Sequence, residues 1–247
     1  MDRWRGKTAV VTGASAGIGA SICVSLANAG VKVIGLARRP QLIDALKSQV
    51  QGDGSIVSRK CDVASSEDVA AAFRWVEETF AGIHILVNNA GIFNKGCITA
   101  ASDNVMTERD ILSTIDINFK GTVLCARHAV ASMKKHRIDG HVINVNSIAG
   151  HYIPFSSTFN VYPATKHAVG AFTKALLEEF ADYNCNIKVT SLSPGLVDTD
   201  LAVIPSTTNI PALQPSDVAA AVMYVLSTPP HVNIEELTIS PLKGKRM

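Results

Sequence analysis

The sequence predicts an α/β protein built on a doubly wound parallel sheet of about seven strands, with helices on both faces. Two observations carry that expectation. Short, continuously apolar runs rich in Val alternate along the chain with longer segments whose apolar residues fall at helical spacing. No internal repeat, linker or charge block divides the 247 residues, so one domain over 1–247 is expected. Residues 8–12 read as a buried strand, followed by a helix over 18–29 with Ile22, Leu26 and Ala29 on one face and Gly30 closing it. A strand over 31–36 and a helix over 41–50 follow, then a turn at Gly52-Asp53-Gly54 and a strand over 55–60. Ser65 caps a helix that runs to residue 80, with Asp68 as a capping-box partner. Further strands are expected at 83–88, 141–145, 187–193 and 237–239, and helices at 108–136, 161–183 and 216–227. Two irregular stretches, 92–107 and 195–213, follow strand ends, where sheets of this kind bind ligands.

Composition narrows the function by exclusion. With 47% hydrophobic and 18% charged residues and a net charge of +2, the chain is neither disordered nor a basic nucleic-acid binder. No run of about 18 apolar residues spans a bilayer, and no signal-peptide core follows the charged start. Five widely spaced cysteines without a C-x-x-C pair fit reduced thiols. A cytoplasmic protein with no membrane span is expected.

Thr12-Gly13-Ala14-Ser15-Ala16-Gly17-Ile18-Gly19 joins the first strand to the first helix. Residues without Cβ allow a tight turn, and a helix N-terminus offers free N–H groups and a positive dipole end to a pyrophosphate. The alternative is a tight turn without ligand. At the end of the second strand, a carboxylate would bind the ribose hydroxyl of NAD, whereas a basic residue suits the 2′-phosphate of NADP. Arg38 and Arg39 stand there and no carboxylate does, which predicts NADP(H), with Arg38 the principal contact. A solvated arginine pair is the other possibility.

Tyr162 and Lys166 lie at i and i+4 on one helix face. A cation beside a phenol favours phenolate, which would bring the tyrosine toward neutral pKa and make it a general acid/base; the pair taken alone reads equally as a helix-surface tyrosine and a solvated lysine. Ser147 ends the strand 141–145 and could donate to a carbonyl oxygen. Asn88-Asn89-Ala90-Gly91 ends another strand, and Asn118 interrupts a long helical pattern.

Taken together, the loop at 12–19, Asn88-Asn89-Ala90-Gly91, Asn118, Ser147, Tyr162 with Lys166, and Pro194-Gly195 with Thr199 resemble the compact branch of the short-chain dehydrogenase/reductases over essentially the whole chain. The resemblance implies a Rossmann fold and hydride exchange between an alcohol or carbonyl and the pro-S face of the nicotinamide. It implies that Tyr162 is the acid/base and that Lys166 lowers its pKa and holds the nicotinamide ribose. It implies that Ser147 positions the carbonyl, and that Asn118 distorts its helix to complete a proton relay. Gly13, Ser15, Gly17, Ile18, Gly19, Arg38, Arg39, Asn89, Ala90 and Gly91 would line the cofactor. Asp62 and Val63 would sit at the adenine, although Asp62 could equally cap a helix. Pro194, Gly195, Val197 and Thr199 would cradle the nicotinamide. One departure is Ala16, where NADP-preferring relatives often carry a basic residue, so the phosphate argument rests on Arg38 and Arg39.

The expected substrate pocket is mostly apolar, with Ser147, Phe155, Phe159, Tyr162, Leu196 and Leu201; Ile92, Phe93, Tyr152, Ile153, Pro154, Val203, Ile204, Ile210 and Leu213 are further candidates, and His151 is the only candidate polar reader, against the more ordinary reading of a loop histidine. Many of these could instead pack on the core or on another copy. Residues 4–7, 139–144 and 233–237 are similar to the arthropod farnesol dehydrogenase-like group and its vertebrate relatives, which implies oxidation of a prenyl alcohol. A broad carbonyl or ketosteroid reductase, and a catalytically idle NADP-binding regulator, are the alternatives. Apolar positions on the helices over 108–136 and 161–183 exceed what one sheet face needs, and the family pairs these helices in homodimers or homotetramers.

Overall fold

The computed structural model describes residues 1–99, 103–153, 158–201 and 210–243. Seven strands, β1 (Thr8–Thr12), β2 (Lys32–Ala37), β3 (Ser55–Lys60), β4 (Ile85–Asn88), β5 (His141–Val145), β6 (Lys188–Pro194) and β7 (Glu236–Ile239), form one sheet in the order β3-β2-β1-β4-β5-β6-β7. Every neighbouring pair is parallel. The winding reverses between β1 and β4, which leaves a crevice beyond their carboxyl ends.

Side chains alternate between the sheet's two faces, so neighbours in one strand enter different cores. Ala9 and Val11 join Ile22, Leu26, Val218 and Val222 beneath α1 (Gly17–Asn28) and α7 (Pro215–Ser227). Val10 joins Val69, Phe73, Ala126, Met133 and Phe180 beneath α3 (Ser66–Phe80), α5 (Gly121–Lys135) and α6 (Val161–Asp182). Burial on both faces explains why the strands read as unbroken apolar runs. Two short helices, α2 (Pro40–Asp44) and α4 (Glu108–Ile115), complete the set.

Three elements differ from the sequence pattern for local reasons. The helix expected over 41–50 tightens to a 3₁₀ turn at Ala45–Gln49, where a Lys47–Asp44 ion pair of 2.6 Å suits the eclipsed i,i+3 geometry. The helix expected over 108–136 is split by a π turn at Asp116–Lys120. There the Asn118 side chain is committed elsewhere, accepting from Ile92 N at 2.8 Å and donating to Ile92 O at 3.0 Å. Ser65 does cap α3 by accepting from Asp68 N at 3.1 Å, but the Asp68 carboxylate turns to Asp62 N at 3.0 Å, so the reciprocal half of the box is absent. Among the described residues, no helix is long and apolar enough to cross a membrane. No group of three or more His, Cys, Asp or Glu among them could hold a metal ion.

Candidate active site

The crevice holds a cleft of about 670 Å³ running from the end of β2, across β1 and β4, to β5 and β6. Its floor is fixed by hydrogen bonds between the ends of β1 and β4. Thr12 Oγ1 accepts from Asn89 N and Ala90 N, each at 3.0 Å, while Asn89 Nδ2 donates to Thr12 O at 3.0 Å and Gly13 O at 3.3 Å. Chain crossing this close requires glycine. A Cβ on Gly13 (φ +65°) would lie 2.8 Å from Ala90 Cα, and one on Gly19 2.4 Å from Gly13 O. The N-terminus of α1 has no side-chain cap and no acidic residue in its first turn, so its N–H groups and dipole remain available to an anion. Gly13, Ser15, Gly17 and Ile18 line the cleft there; Gly19 lies behind, in the packing of the turn. This cradle fits a dinucleotide pyrophosphate.

At one end, Arg38 and Arg39 follow β2, exposed and without an ion-pair partner among the described residues. Asp62 and Val63 follow β3 and also line the cleft. Asp62 does not cap α3, which Ser65 does; its Oδ1 instead accepts from Ala64 N at 3.0 Å. Asn89, Ala90, Gly91, Pro194, Gly195, Val197 and Thr199 line the middle. The Cγ2 of Thr199 would stand 3.2 Å from a Cβ on Gly17, and Gly195 N donates to Ile239 O at 2.7 Å, which brings the end of β7 against this wall.

At the other end, amides lock β4, β5 and α6 together: Asn88 Nδ2 donates to Asn144 Oδ1 at 2.9 Å, and Asn144 Nδ2 to Thr173 Oγ1 at 2.9 Å. Ser147, Tyr162 and Lys166 all face the cleft. Ser147 caps a 3₁₀ turn at Ile148–Gly150 and is hydrogen-bonded to Tyr162. Lys166 is buried and donates from Nζ to Val145 O at 2.9 Å; its Nζ is 5.7 Å from the Tyr162 ring centroid. Burial holds the Lys166 ammonium down at about 8. Burial also pushes the Tyr162 phenol up, opposed by the Ser147 hydrogen bond. The sequence pattern pointed the other way for Tyr162, toward a value lowered by Lys166. Desolvation, not the Lys166 charge, sets the direction here. Asn118 does not line the cleft, but its Nδ2 reaches Thr165 Oγ1 at 3.2 Å. Gly91 keeps the space between them clear: a Cβ there would lie 3.5 Å from Asn118 Oδ1 and 4.0 Å from Lys166 Nζ.

Phe159, Leu196 and Leu201, with Ile92, Phe93, Tyr152 and Ile210, form an apolar continuation beside Tyr162. His151 is not part of it. Its Nε2 lies 2.8 Å from Glu236 Oε1 and 2.9 Å from Ser193 Oγ, facing a separate depression of about 310 Å³. The polar ends of β6 and β7 hold this ring and draw it away from the apolar cleft. Ile153 is exposed and Leu213 packs on the core, so neither lines the cleft, and Pro154, Phe155, Val203 and Ile204 lie outside the described residues. Lys95, Asp200, Ser240 and Pro241 also line the cleft, without having been marked by any motif. For Ser240 and Pro241 the signal was their place just past β7, the same strand-end position that marks the other site residues.

The arrangement can bind a dinucleotide along the strand ends and exchange a proton with an oxygen held between Ser147 and Tyr162. The profile of the short chain dehydrogenase family matches residues 7–208. Farnesol dehydrogenase of Aedes aegypti is 44% identical over 250 residues, covering 99% of this chain and 100% of that protein. Dehydrogenase/reductase SDR family member 11 of Mus musculus is 36% identical over 255 residues, covering 98% of this chain and 96% of that protein. An alcohol dehydrogenase from the archaeon Thermococcus sibiricus, solved in complex with 5-hydroxy-NADP, superposes with a TM-score of 0.83 at 25% identity, over 95% of this chain and 96% of that one. The chain therefore belongs to the short-chain dehydrogenase/reductase family of oxidoreductases.

Proposed function

We propose that this single-domain protein is an NADP(H)-dependent oxidoreductase that interconverts an alcohol and its carbonyl, and that its substrate is farnesol or a similar prenyl alcohol. The observation that carries the reaction class is the meeting of Tyr162, Ser147 and Lys166 at the end of a cleft whose middle fits a pyrophosphate. Arg38 and Arg39, which line the cleft without an ion-pair partner among the described residues, support NADP over NAD, because guanidinium groups suit a 2′-phosphate. The apolar lining beside Tyr162, together with the similarity to a farnesol dehydrogenase over the full length of both chains, supports a prenyl substrate.

When bound, NADP⁺ supplies the hydride acceptor. In alcohol oxidation the substrate hydroxyl is held by Ser147 and gives its proton to the Tyr162 oxygen as the carbinol carbon gives up its hydride. Carbonyl reduction runs the same proton backward. Lys166, anchored on Val145 O, keeps its ammonium near the Tyr162 ring, and its remaining N–H groups would hold the nicotinamide ribose. Asn118 holds the π turn against Ile92 and keeps the passage past Gly91 to Lys166 open for proton exchange.

The free thiols, Cys23, Cys61 and Cys125 buried among them, support a reducing, cytoplasmic setting. The exposed Leu112 and Ile115 of α4 support assembly of two or four copies, which light scattering tests. The activity itself is tested by following nicotinamide absorbance with NADP⁺ and a panel of prenyl alcohols, aliphatic alcohols and steroids. Farnesol is expected to lead the panel. Turnover of farnesol no better than that of short aliphatic alcohols defeats the prenyl reading, and no turnover of any alcohol or carbonyl defeats the reaction class.

A further inference from the structure

The segment after β4 is fastened at three successive points. Ile92 is gripped through both its N–H and its carbonyl by the Asn118 side chain. Asn94 Nδ2 reaches the carbonyl of Asp110 in α4 at 3.3 Å. Gly96 donates to Thr158 O at 3.1 Å and accepts from Asn160 Nδ2 at 2.8 Å. Phe93 stands between these fastenings. Its ring centroid is 5.0 Å from that of Tyr162, tilted by 57°, and 4.8 Å from that of Phe159 at 88°. The phenol is thus flanked by an aromatic ring whose backbone is tied to α4, to the π turn and to the residues before α6.

We infer that Phe93 is a specificity-determining residue that favours a primary alcohol over a ring-bearing secondary one. The inference rests on the proposed reaction at Tyr162 and deepens it. A carbinol carbon carries two substituents besides its oxygen and the departing hydride. With its oxygen held between Tyr162 and Ser147, one of those substituents points toward the flank that Phe93 and Phe159 occupy, and the other runs along the apolar cleft past Leu196 and Leu201. A hydrogen fits on the Phe93 flank. A ring carbon requires the phenyl to move, and the fastenings at Ile92, Asn94 and Gly96 resist that movement. A primary prenyl alcohol presents a hydrogen on one side and a long unsaturated chain on the other, and it meets this shape.

The test compares kcat/KM with NADP⁺ for farnesol, 1-decanol and a 3-hydroxysteroid in wild type, Phe93→Ala, Phe93→Leu and Asn160→Ala, with NADPH binding measured alongside. In Phe93→Ala the preference for primary alcohol over steroid falls by at least about tenfold, as expected for opening an apolar pocket. Phe93→Leu falls between, and Asn160→Ala moves in the same direction because it loosens Gly96. NADPH affinity stays within about twofold, which separates pocket shape from cofactor loss. Poor folding of Phe93→Ala leaves the decision to Phe93→Leu. An unchanged ratio in a Phe93 variant that binds NADPH, or a wild type that prefers the steroid to both primary alcohols, overturns the inference. A wild type that oxidises 1-decanol but not farnesol defeats the prenyl reading alone, since the primary-to-steroid ratio is still read from decanol.

Discussion

His141 opens β5 and is fully buried, and its environment makes protonation in the folded state costly. Thr190 Oγ1 donates its only proton to Ile234 O at 2.6 Å, so at its 2.9 Å contact with His141 Nε2 the threonine oxygen must accept. The imidazole is therefore the Nε2–H tautomer. Nδ1 is its basic nitrogen, buried and without a hydrogen-bond partner among the described residues. Burial, reinforced by the positive charges of Lys188 and Arg3, pushes its pKa down to about 3. Unfolded, the same side chain titrates near ~6.5. The depressed folded value means that the contribution to stability is fully present above ~6.5 and is lost as pH falls from there toward about 3. At pH ~5 the unfolded chain has gained ~1.5 pH units of proton binding that the folded chain refuses, and ~1.5 × 1.36 gives a loss of about 2 kcal/mol. Replacing His141 with Gln removes that contribution. Urea unfolding of both proteins at pH ~8 and ~5 reads it as a difference of differences: the wild type loses about 2 kcal/mol more than the variant. The other titrating groups, including His84 with its value near 4, are common to both and cancel. Equal acid sensitivity in the two proteins would show that His141 is not held neutral by its surroundings.

Two further predictions concern the cofactor cleft. A methyl group on Gly19 would press within 2.4 Å of Gly13 O and 2.5 Å of Asn89 Nδ2, so Gly19→Ala should cost about 1–3 kcal/mol of stability and weaken NADPH binding. Calorimetry and a fluorescence titration check both, and unaltered affinity would contradict the cradle. Arg38→Ala should raise the KM for NADPH roughly 10–100-fold and leave NADH unaffected, with a smaller effect from Arg39→Ala. Equal losses with both nucleotides would remove the 2′-phosphate from the account.

Much of this molecule is legible in sequence because its signals are local or periodic. The β1 boundaries at Thr8 and Thr12 and the turn at 12–19 follow from an apolar run ended by glycines, and the structure shows backbone contacts that leave no room for a Cβ. Tyr162 and Lys166 share a face because four residues make about one helical turn. Other features depend on partners far along the chain. The π turn at Asp116–Lys120 accompanies Asn118's grip on Ile92, 26 residues away, which no helical pattern contains. His151 looked like a pocket residue because it follows Ser147, yet Ser193 and Glu236 hold it on the other side. The direction of the Tyr162 shift was likewise invisible: spacing reveals a neighbouring cation, whereas burial depends on the whole fold.

The central claim is that Tyr162 exchanges the proton while the cleft independently binds the nucleotide. Tyr162→Phe separates the two, because it keeps the ring against Phe93 and removes only the hydroxyl. The decisive measurement is kcat for NADP⁺-dependent alcohol oxidation by this variant, beside its affinity for NADPH. The account predicts affinity within about twofold of wild type and a kcat lower by at least about 10²-fold, the scale of general acid–base catalysis. A variant that binds NADPH and keeps kcat within about tenfold of wild type would contradict it.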